Sequence, residues 1–202
     1  MKPQTSRQAG FTFIELIATV SLIGILAAVA LPQLFDVADA QRLGMSVRMV
    51  ERELQFARQK AAAINQPMRI RFDCSAAKNQ VRVVELIGTT SIVDAQDAAA
   101  NRCSEAVYPY AVDPDNNRMT RPNNDGPLRQ LQLGTVFSKS TNLEFWPDGT
   151  VHAPQGAQQN NWKAIAPGKT ATIQLTRTNT FGKVLPPKNI TVNGFAKIQM
   201  DR

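Results

Sequence analysis

Gly10-Phe11-Thr12-Phe13-Ile14-Glu15-Leu16 opens a run of 25 residues, 11–35, in which Glu15 is the only charged side chain. As a helix at about 1.5 Å per residue the run reaches roughly 37 Å, enough to cross a hydrocarbon core of about 30 Å with some tilt. A carboxylate at membrane depth costs about 2–3 kcal/mol or more on insertion scales, so Glu15 calls for a partner.

Residues 1–10 ahead of the run carry Lys2 and Arg7 and no acid, a charge pattern that keeps such a leader on the cytoplasmic side. A secretory signal places its small-residue cleavage site after an apolar core of about 7–15 residues. Here the small residue, Gly10, comes first. Cleavage after Gly10 removes the leader, keeps the apolar segment and makes Phe11 the new amino terminus. An ordinary signal anchor, with Glu15 near the headgroups or protonated, is the plainer alternative.

The string Gly10-Phe11-Thr12-x-Ile14-Glu15-Leu16, with Ile23-Gly24-Ile25-Leu26-Ala27-Ala28 and Pro32 beyond it, resembles the signal of type IV pilins and type II secretion pseudopilins. The resemblance implies a prepilin peptidase that cuts between Gly10 and Phe11 and methylates the amino group of Phe11. It also implies a partner for Glu15, the ammonium at the amino terminus of a neighbouring subunit. A half-made buried ion pair costs about 3–5 kcal/mol, so such a pair sets register between subunits. Other pilins or pseudopilins and an inner-membrane assembly platform are the further partners implied.

Pro32 removes a backbone donor and clashes with the preceding turn, so the helix is expected to break or bend there. Beyond residue 35 the pattern becomes amphipathic. Leu43, Val47, Val50, Leu54, Ala57, Ala61 and Ile64 alternate spacings of four and three and form one stripe, suited to covering a sheet. Arg42, Arg48, Glu51, Arg52, Glu53, Arg58 and Lys60 occupy the other, solvent-facing side. Asn65-Gln66-Pro67 ends the helix, since proline disfavours helical geometry in the residue before it.

Strand patterns follow. Residues 68–73 and 80–87 read as a hairpin; further strands are expected at 141–146, 150–152, 170–176, 189–192 and 195–200, with 94–101 a short helix or loop. Pro147-Asp148-Gly149 and Asn193-Gly194 have the residues of tight turns with positive φ. The stretch 108–129, rich in Pro, Asp, Asn and Arg, is expected to be a long surface loop. It holds no complete calcium-loop pattern. The expected division is leader 1–10, membrane helix 11–35, amphipathic continuation 36–66 and a β-rich globular domain 67–202. The fold class is α+β: a long amino-terminal helix on antiparallel sheet, the arrangement that the pilin resemblance also implies.

Loss of Lys2 and Arg7 with the leader takes the formal net charge from +7 to +5 and leaves 192 residues of the 202. A basic balance permits contact with DNA, anionic lipid or an acidic protein and identifies none of them. Cys74 and Cys103 are the only cysteines. An even count in a domain outside the inner membrane suggests a disulfide, which by chain entropy contributes roughly 3.5 kcal/mol for the 28 residues enclosed. A reactive or metal-binding pair is the alternative, without a C-x-x-C to support it.

No catalytic constellation is assignable: His152 is the single histidine and reads as a surface strand residue, while Phe145 reads as core. No metal or cofactor is expected.

Two further segments narrow the resemblance to the GspH/FimT group of minor pilins and pseudopilins. They are 54–64 running into 67–72, and Phe145-Trp146-Pro147-Asp148-Gly149, similar to that group's Phe-x-Pro-x-Gly. This implies a structural subunit of a type II secretion pseudopilus or a type IV pilus that helps initiate the filament. Its amino terminus would be cytoplasmic and its globular domain periplasmic. DNA-uptake members carry Gly-Arg-x-Arg near the carboxyl terminus, where this chain reads Gly194-Phe195-Ala196-Lys197. Lys183, Lys188 and Lys197 remain the candidates for phosphate or partner contact, with a solvated basic surface the simpler account.

Overall fold

The structure, a computed structural model, describes residues 12–86, 97, 100–108, 124–155 and 161–200. Its α+β class agrees with the sequence pattern. Among the described residues one α-helix, α1 (Phe13–Ile64), precedes ten strands: β1 (Met68–Arg71), β2 (Gln80–Glu85), β3 (Arg129–Gln130), β4 (Thr135–Lys139), β5 (Leu143–Phe145), β6 (Val151–Pro154), β7 (Trp162–Ala164), β8 (Thr170–Arg177), β9 (Lys188–Asn193) and β10 (Ile198–Met200). The chain divides into two compact units, Met1–Ala38 and Asp39–Arg202.

In the first unit the helix starts at a cap. Thr12 accepts the amide of Glu15 on its hydroxyl at 3.3 Å, and its carbonyl takes the first helical bonds from Glu15 and Leu16, both 3.1 Å. Thr-x-x-Glu is the pattern of a capping box, which occupies donors that a helix start leaves open. The helix then runs without interruption through Pro32, so the break expected there is not seen. A single proline removes one donor, and the turns on either side keep theirs, as helices in membranes commonly allow.

In the second unit α1 ends in an Asn-type cap. Asn65 lies in the left-handed region at φ 53, and the amide of Gln66 returns to the carbonyl of Ala61 at 3.3 Å. That geometry satisfies carbonyls left open by the last turn, and Pro67 then prevents any continuation.

Among the described residues all strand pairings are antiparallel. One sheet has six strands in the order β3-β2-β1-β5-β6-β7, the other four in the order β10-β9-β8-β4. The hairpin β1–β2 pairs Ile70 with Val83, and β5–β6 closes over the turn at Gly149, where φ is 84. The stripe Leu43, Val47, Val50, Leu54, Ala57 and Ala61 is buried against Met68, Ile70, Val83, Leu143, Phe145, Ile173, Leu175 and Ile190. Phe137 joins the sheets, its amide bonded to the Lys78 carbonyl at 2.8 Å and its ring 5.0 Å from that of Phe72.

Several expectations need correction. Strands β3, β4 and β7 were not anticipated. Glu53, assigned to the solvent face, is buried and accepts Arg129 Nε at 2.9 Å. The surface loop expected at 108–129 is anchored where it is described, since Asp125 is buried and Gly126 bonds the Val83 carbonyl; residues 109–123 lie outside the described residues. The Asn193-Gly194 turn takes its positive φ at Ala196, φ 55, and not at the glycine. Gly194 serves close approach, because a Cβ there would overlap the carbonyl oxygen of Ile165.

Candidate functional site

Gly10 and Phe11, the expected processing pair, lie outside the described residues. Glu15 stands in the first turn of α1, and Phe13, Ile14, Leu16, Ile17 and Val20 around it are all exposed. Exposure of large apolar side chains continues through Leu34, Phe35 and Val37. Isolated apolar residues on a surface need no explanation, but a contiguous apolar cylinder of this length requires lipid or protein around it. α1 is long and apolar enough to cross a membrane, and its first unit fits a single-pass anchor. Glu15 sits within the apolar cylinder near its amino-terminal end, where a carboxylate is favoured by the helix dipole and still needs a cation.

The two cysteines form a disulfide, Cys74 to Cys103, with S–S 2.06 Å. It joins the segment after β1 to a 3-10 turn at Ala100–Cys103.

Lys183, Lys188 and Lys197 are not gathered into one cluster. Lys188 begins β9, while Lys197 follows its far end and accepts the amide of Asn193 on its carbonyl. At about 3.3 Å per residue these positions are on the order of 17 Å apart along the strand. Lys183 is exposed in the turn after β8.

Buried arginines form a layer that sequence reasoning missed. Arg69 of β1 binds Glu144 of β5 through Nε at 3.0 Å and Nη2 at 2.5 Å, gives Nη1 to the Asp97 carbonyl, and lies 4.2 Å from the ring centroid of Trp162. Arg82 of β2 donates to the carbonyls of Gly126, Arg102 and Tyr108 at 2.9, 2.8 and 2.5 Å. Arg102, itself fully buried, donates to the Asp125 carboxylate at 2.9 Å and stacks over Tyr108. Burial pushes the carboxyls of Glu144 and Asp125 up, against the pull of Arg69 and Arg102 respectively. The only hint in sequence is arginine recurring on alternate positions of valine- and isoleucine-rich strands.

At the opening of the second unit, Arg177 and the amide and hydroxyl of Thr180 hold Asp39. Hydrogen bonding from Arg177 above all brings the Asp39 carboxyl down to about 2.

His152 is half-buried, not a plain surface residue. Its ring stacks on Trp146 at 4.7 Å, and burial lowers its proton affinity. A cleft of about 470 Å³ is lined by Arg58, Gln59, Trp146 and Asp148 among others, with no nucleophile and base side by side on its walls. Among the described residues, no group of three His, Cys, Asp or Glu side chains is placed to hold a metal.

Over residues 5–31 the chain matches the family model of the prokaryotic N-terminal methylation motif. Comparison with curated proteins finds no match, and comparison with solved structures finds none. The matched span contains Gly10, Phe11 and Glu15 and most of the apolar run. The motif indicates prepilin processing of the type IV pilin and pseudopilin kind, hence a prepilin peptidase and other pilins as partners, and it points to a structural subunit.

Proposed function

We propose that this chain is a minor pilin or pseudopilin of the GspH/FimT type, a structural subunit of a type II secretion pseudopilus or a type IV pilus. Prepilin peptidase cuts it after Gly10 and methylates Phe11. It then helps initiate the filament, with its amino-terminal helix packed among those of its neighbours. The observation that carries this reading is one carboxylate, Glu15, near the start of an exposed apolar helix within a matched methylation motif. Before assembly the helix is solvated by lipid; in a filament, other subunits replace the lipid, and Glu15 meets a new ammonium.

Three features of the second unit support the GspH/FimT assignment. The helix passes into β1 through only Asn65, Gln66 and Pro67. Its buried stripe covers the antiparallel sheets. The segment Phe145-Trp146-Pro147-Asp148-Gly149 forms the β5–β6 turn, where Asp148 caps Thr150 at 2.9 Å.

The test separates processing from assembly. Intact-mass spectrometry of the membrane-extracted chain is expected to give an N-methylated Phe11 terminus for both wild type and Glu15→Ala. Sheared filaments should contain the wild-type chain and lack the variant. Recovery of Glu15→Ala at wild-type levels would remove the role of the carboxylate, and an uncut chain would remove the processing reading.

A further inference from the structure

A cleft of about 470 Å³ lies between α1 and the β5–β6 turn, and its two walls come from segments that the filament role leaves unused. One wall is Gln55, Arg58, Gln59 and Ala62, whose spacing puts them on one face of the helix. The other is residues 145–149, all of which line the cleft. Every one of these residues belongs to the unit Asp39–Arg202. The volume is that of sites which take a ligand or an anchoring side chain with its neighbours.

The turn wall is held rigid. The amide of Trp146 bonds the Thr150 carbonyl and the amide of Gly149 bonds the Trp146 carbonyl, both at 3.0 Å. The half-buried indole stacks on His152 and gives Nε1 to Glu144 at 3.4 Å. Asp148 is exposed, and the hydroxyl and amide of Thr150 on its Oδ1 hold its carboxyl below the ordinary value, hence ionised at neutral pH. A fixed, part-exposed tryptophan with an arginine across from it is the pairing of residue types that dominates binding energy at protein interfaces.

The helix wall continues as a basic row. Arg48, Arg52, Gln55, Gln59 and Ala62 follow at spacings of four, three, four and three, with Arg58 beside them. Arg48, Arg52 and Arg58 are exposed, and none of them has an ion pair with a described residue; half-buried Glu51 makes none either. Elsewhere on the same stretch of helix the fold does pair its charges, Asp39 with Arg42 and Glu53 with Arg129. Like charges four residues apart weaken a helix. The Arg48 and Arg52 pair is therefore kept at a cost that no contact inside the described fold offsets, and a local conflict of this kind marks a functional surface.

The facing walls select the kind of anion. A nucleic acid carries phosphate along its whole length, and the Asp148 carboxylate repels it. A peptide answers both walls. Its carboxylates meet the arginines, a backbone N–H meets Asp148, its amides match those of Gln55 and Gln59, and an apolar side chain covers Trp146, Pro147 and Ala62. From Arg48 to Arg58 the helix rises about 15 Å, a distance that an extended peptide spans in about five residues.

We propose that the cleft and the arginine row form a docking site for an acidic, extended segment of a partner protein, anchored by one apolar side chain against Trp146. The site uses none of residues 1–38, so it stands or falls apart from the role of Glu15.

The experiment selects a displayed library of random peptides on the full chain in neutral detergent micelles. Recovered peptides are expected to carry several carboxylates within about five residues of an apolar side chain. In fluorescence polarisation, binding of the strongest such peptide should weaken about tenfold or more for Arg58→Glu, for Arg48→Glu combined with Arg52→Glu, and for Trp146→Ala. Gln59→Trp, which fills the cleft from an exposed helix position, should give the same loss and replaces Trp146→Ala if that chain does not fold. Lys139→Glu makes the same change of charge on β4, at the opposite edge of the four-stranded sheet from β10, and should leave binding unchanged. Recovery of no peptide above bare micelles, or of peptides without an excess of carboxylates, overturns the proposal. Equal weakening by Lys139→Glu overturns it too, because overall charge then suffices. A DNA duplex that binds the wild type more tightly than the peptide at the same salt, and is lost with Arg58→Glu, gives the site to nucleic acid and overturns the peptide reading.

Discussion

Arg177 donates through Nη2 and Nε to the same carboxylate oxygen of Asp39, at 2.7 and 3.1 Å, across 138 positions of sequence. The other oxygen accepts the amide and hydroxyl of Thr180 at 2.9 and 3.2 Å. Arg42 adds its Nη1 at 3.2 Å, so five donors converge on one side chain at the first residue of the globular unit, where β8, the turn after it and α1 are fastened together.

This arrangement sets a pH dependence. The Asp39 carboxyl is brought from 3.8 down to about 2, chiefly by Arg177. An acid whose affinity for protons is depressed by folding contributes stability that is complete above its ordinary value and is lost as pH falls through the folded value. Thermal unfolding of the detergent-solubilised chain should therefore show Tm falling more steeply between about pH 4 and pH 2 for wild type than for Asp39→Asn. At neutral pH Asp39→Asn should melt lower, since it leaves Arg177 buried without its counter-charge. Parallel Tm curves for the two chains would show that Asp39 does not titrate in that window.

Arg69 and Glu144 make the second test, because both are buried on the face of the six-stranded sheet that α1 does not cover. Arg69→Met strands the Glu144 carboxylate among Trp162, Trp146 and the Asp97 segment, which should cost about 3–5 kcal/mol. Arg69→Met with Glu144→Leu removes both charges and should recover most of the loss, since a buried pair often does no better than an apolar one. Denaturant midpoints of the wild-type, single and double variants give the coupling. A double variant no more stable than Arg69→Met would place the loss in shape and not in charge.

What the sequence revealed follows from locality. The apolar run, the stripe from Leu43 to Ala61, the β1–β2 hairpin and the Asp148-Gly149 turn each depend on residues close together, and their periods are readable. Arg69 and Arg71 alternate with Met68 and Ile70, so by pattern they belong to a solvated face. In the structure all four are buried, because remote segments around Asp97, Arg102 and Asp125 cover that face. No local period announces such a cover. Glu53 was misplaced for a similar reason, its partner Arg129 being 76 positions away. β4 does alternate, with Thr135 and Phe137 buried and Val136 exposed, but five residues after a long irregular stretch carry a weak signal.

Gly194 is a further case in which a correct residue had a different cause. Its carbonyl accepts the amide of Val151 at 3.0 Å, and Val151 in turn accepts Ile165 at 2.8 Å, so three segments are stacked at backbone distance. Gly194→Ala places a methyl on the Ile165 carbonyl and should destabilise by about 1–3 kcal/mol, the usual range for overpacking. Gly44→Ala is the control, with nothing within 4 Å of an added Cβ, and should stabilise α1 by up to about 1 kcal/mol. Equal Tm values for the two variants would show that the backbone at Gly194 yields freely.

The disulfide gives the last prediction. Cys103 follows Arg102, whose guanidinium holds Asp125 and the Glu85 carbonyl while its own carbonyl accepts Arg82. Joining Cys103 to Cys74 therefore tethers this cover to the end of β1. Reduction, or paired replacement of both cysteines by serine, should lower the unfolding free energy by roughly 3.5 kcal/mol through the restored freedom of the unfolded chain. The effect should also be uneven within the folded state. The amides of Ser104 and Tyr108, bonded to the carbonyls of Asn101 and Ser104, should lose hydrogen-exchange protection before those of β8 and β9, which belong to the other sheet. Protection lost equally at both places would mean that the cover opens only with the whole domain, and that the bridge acts on global unfolding alone.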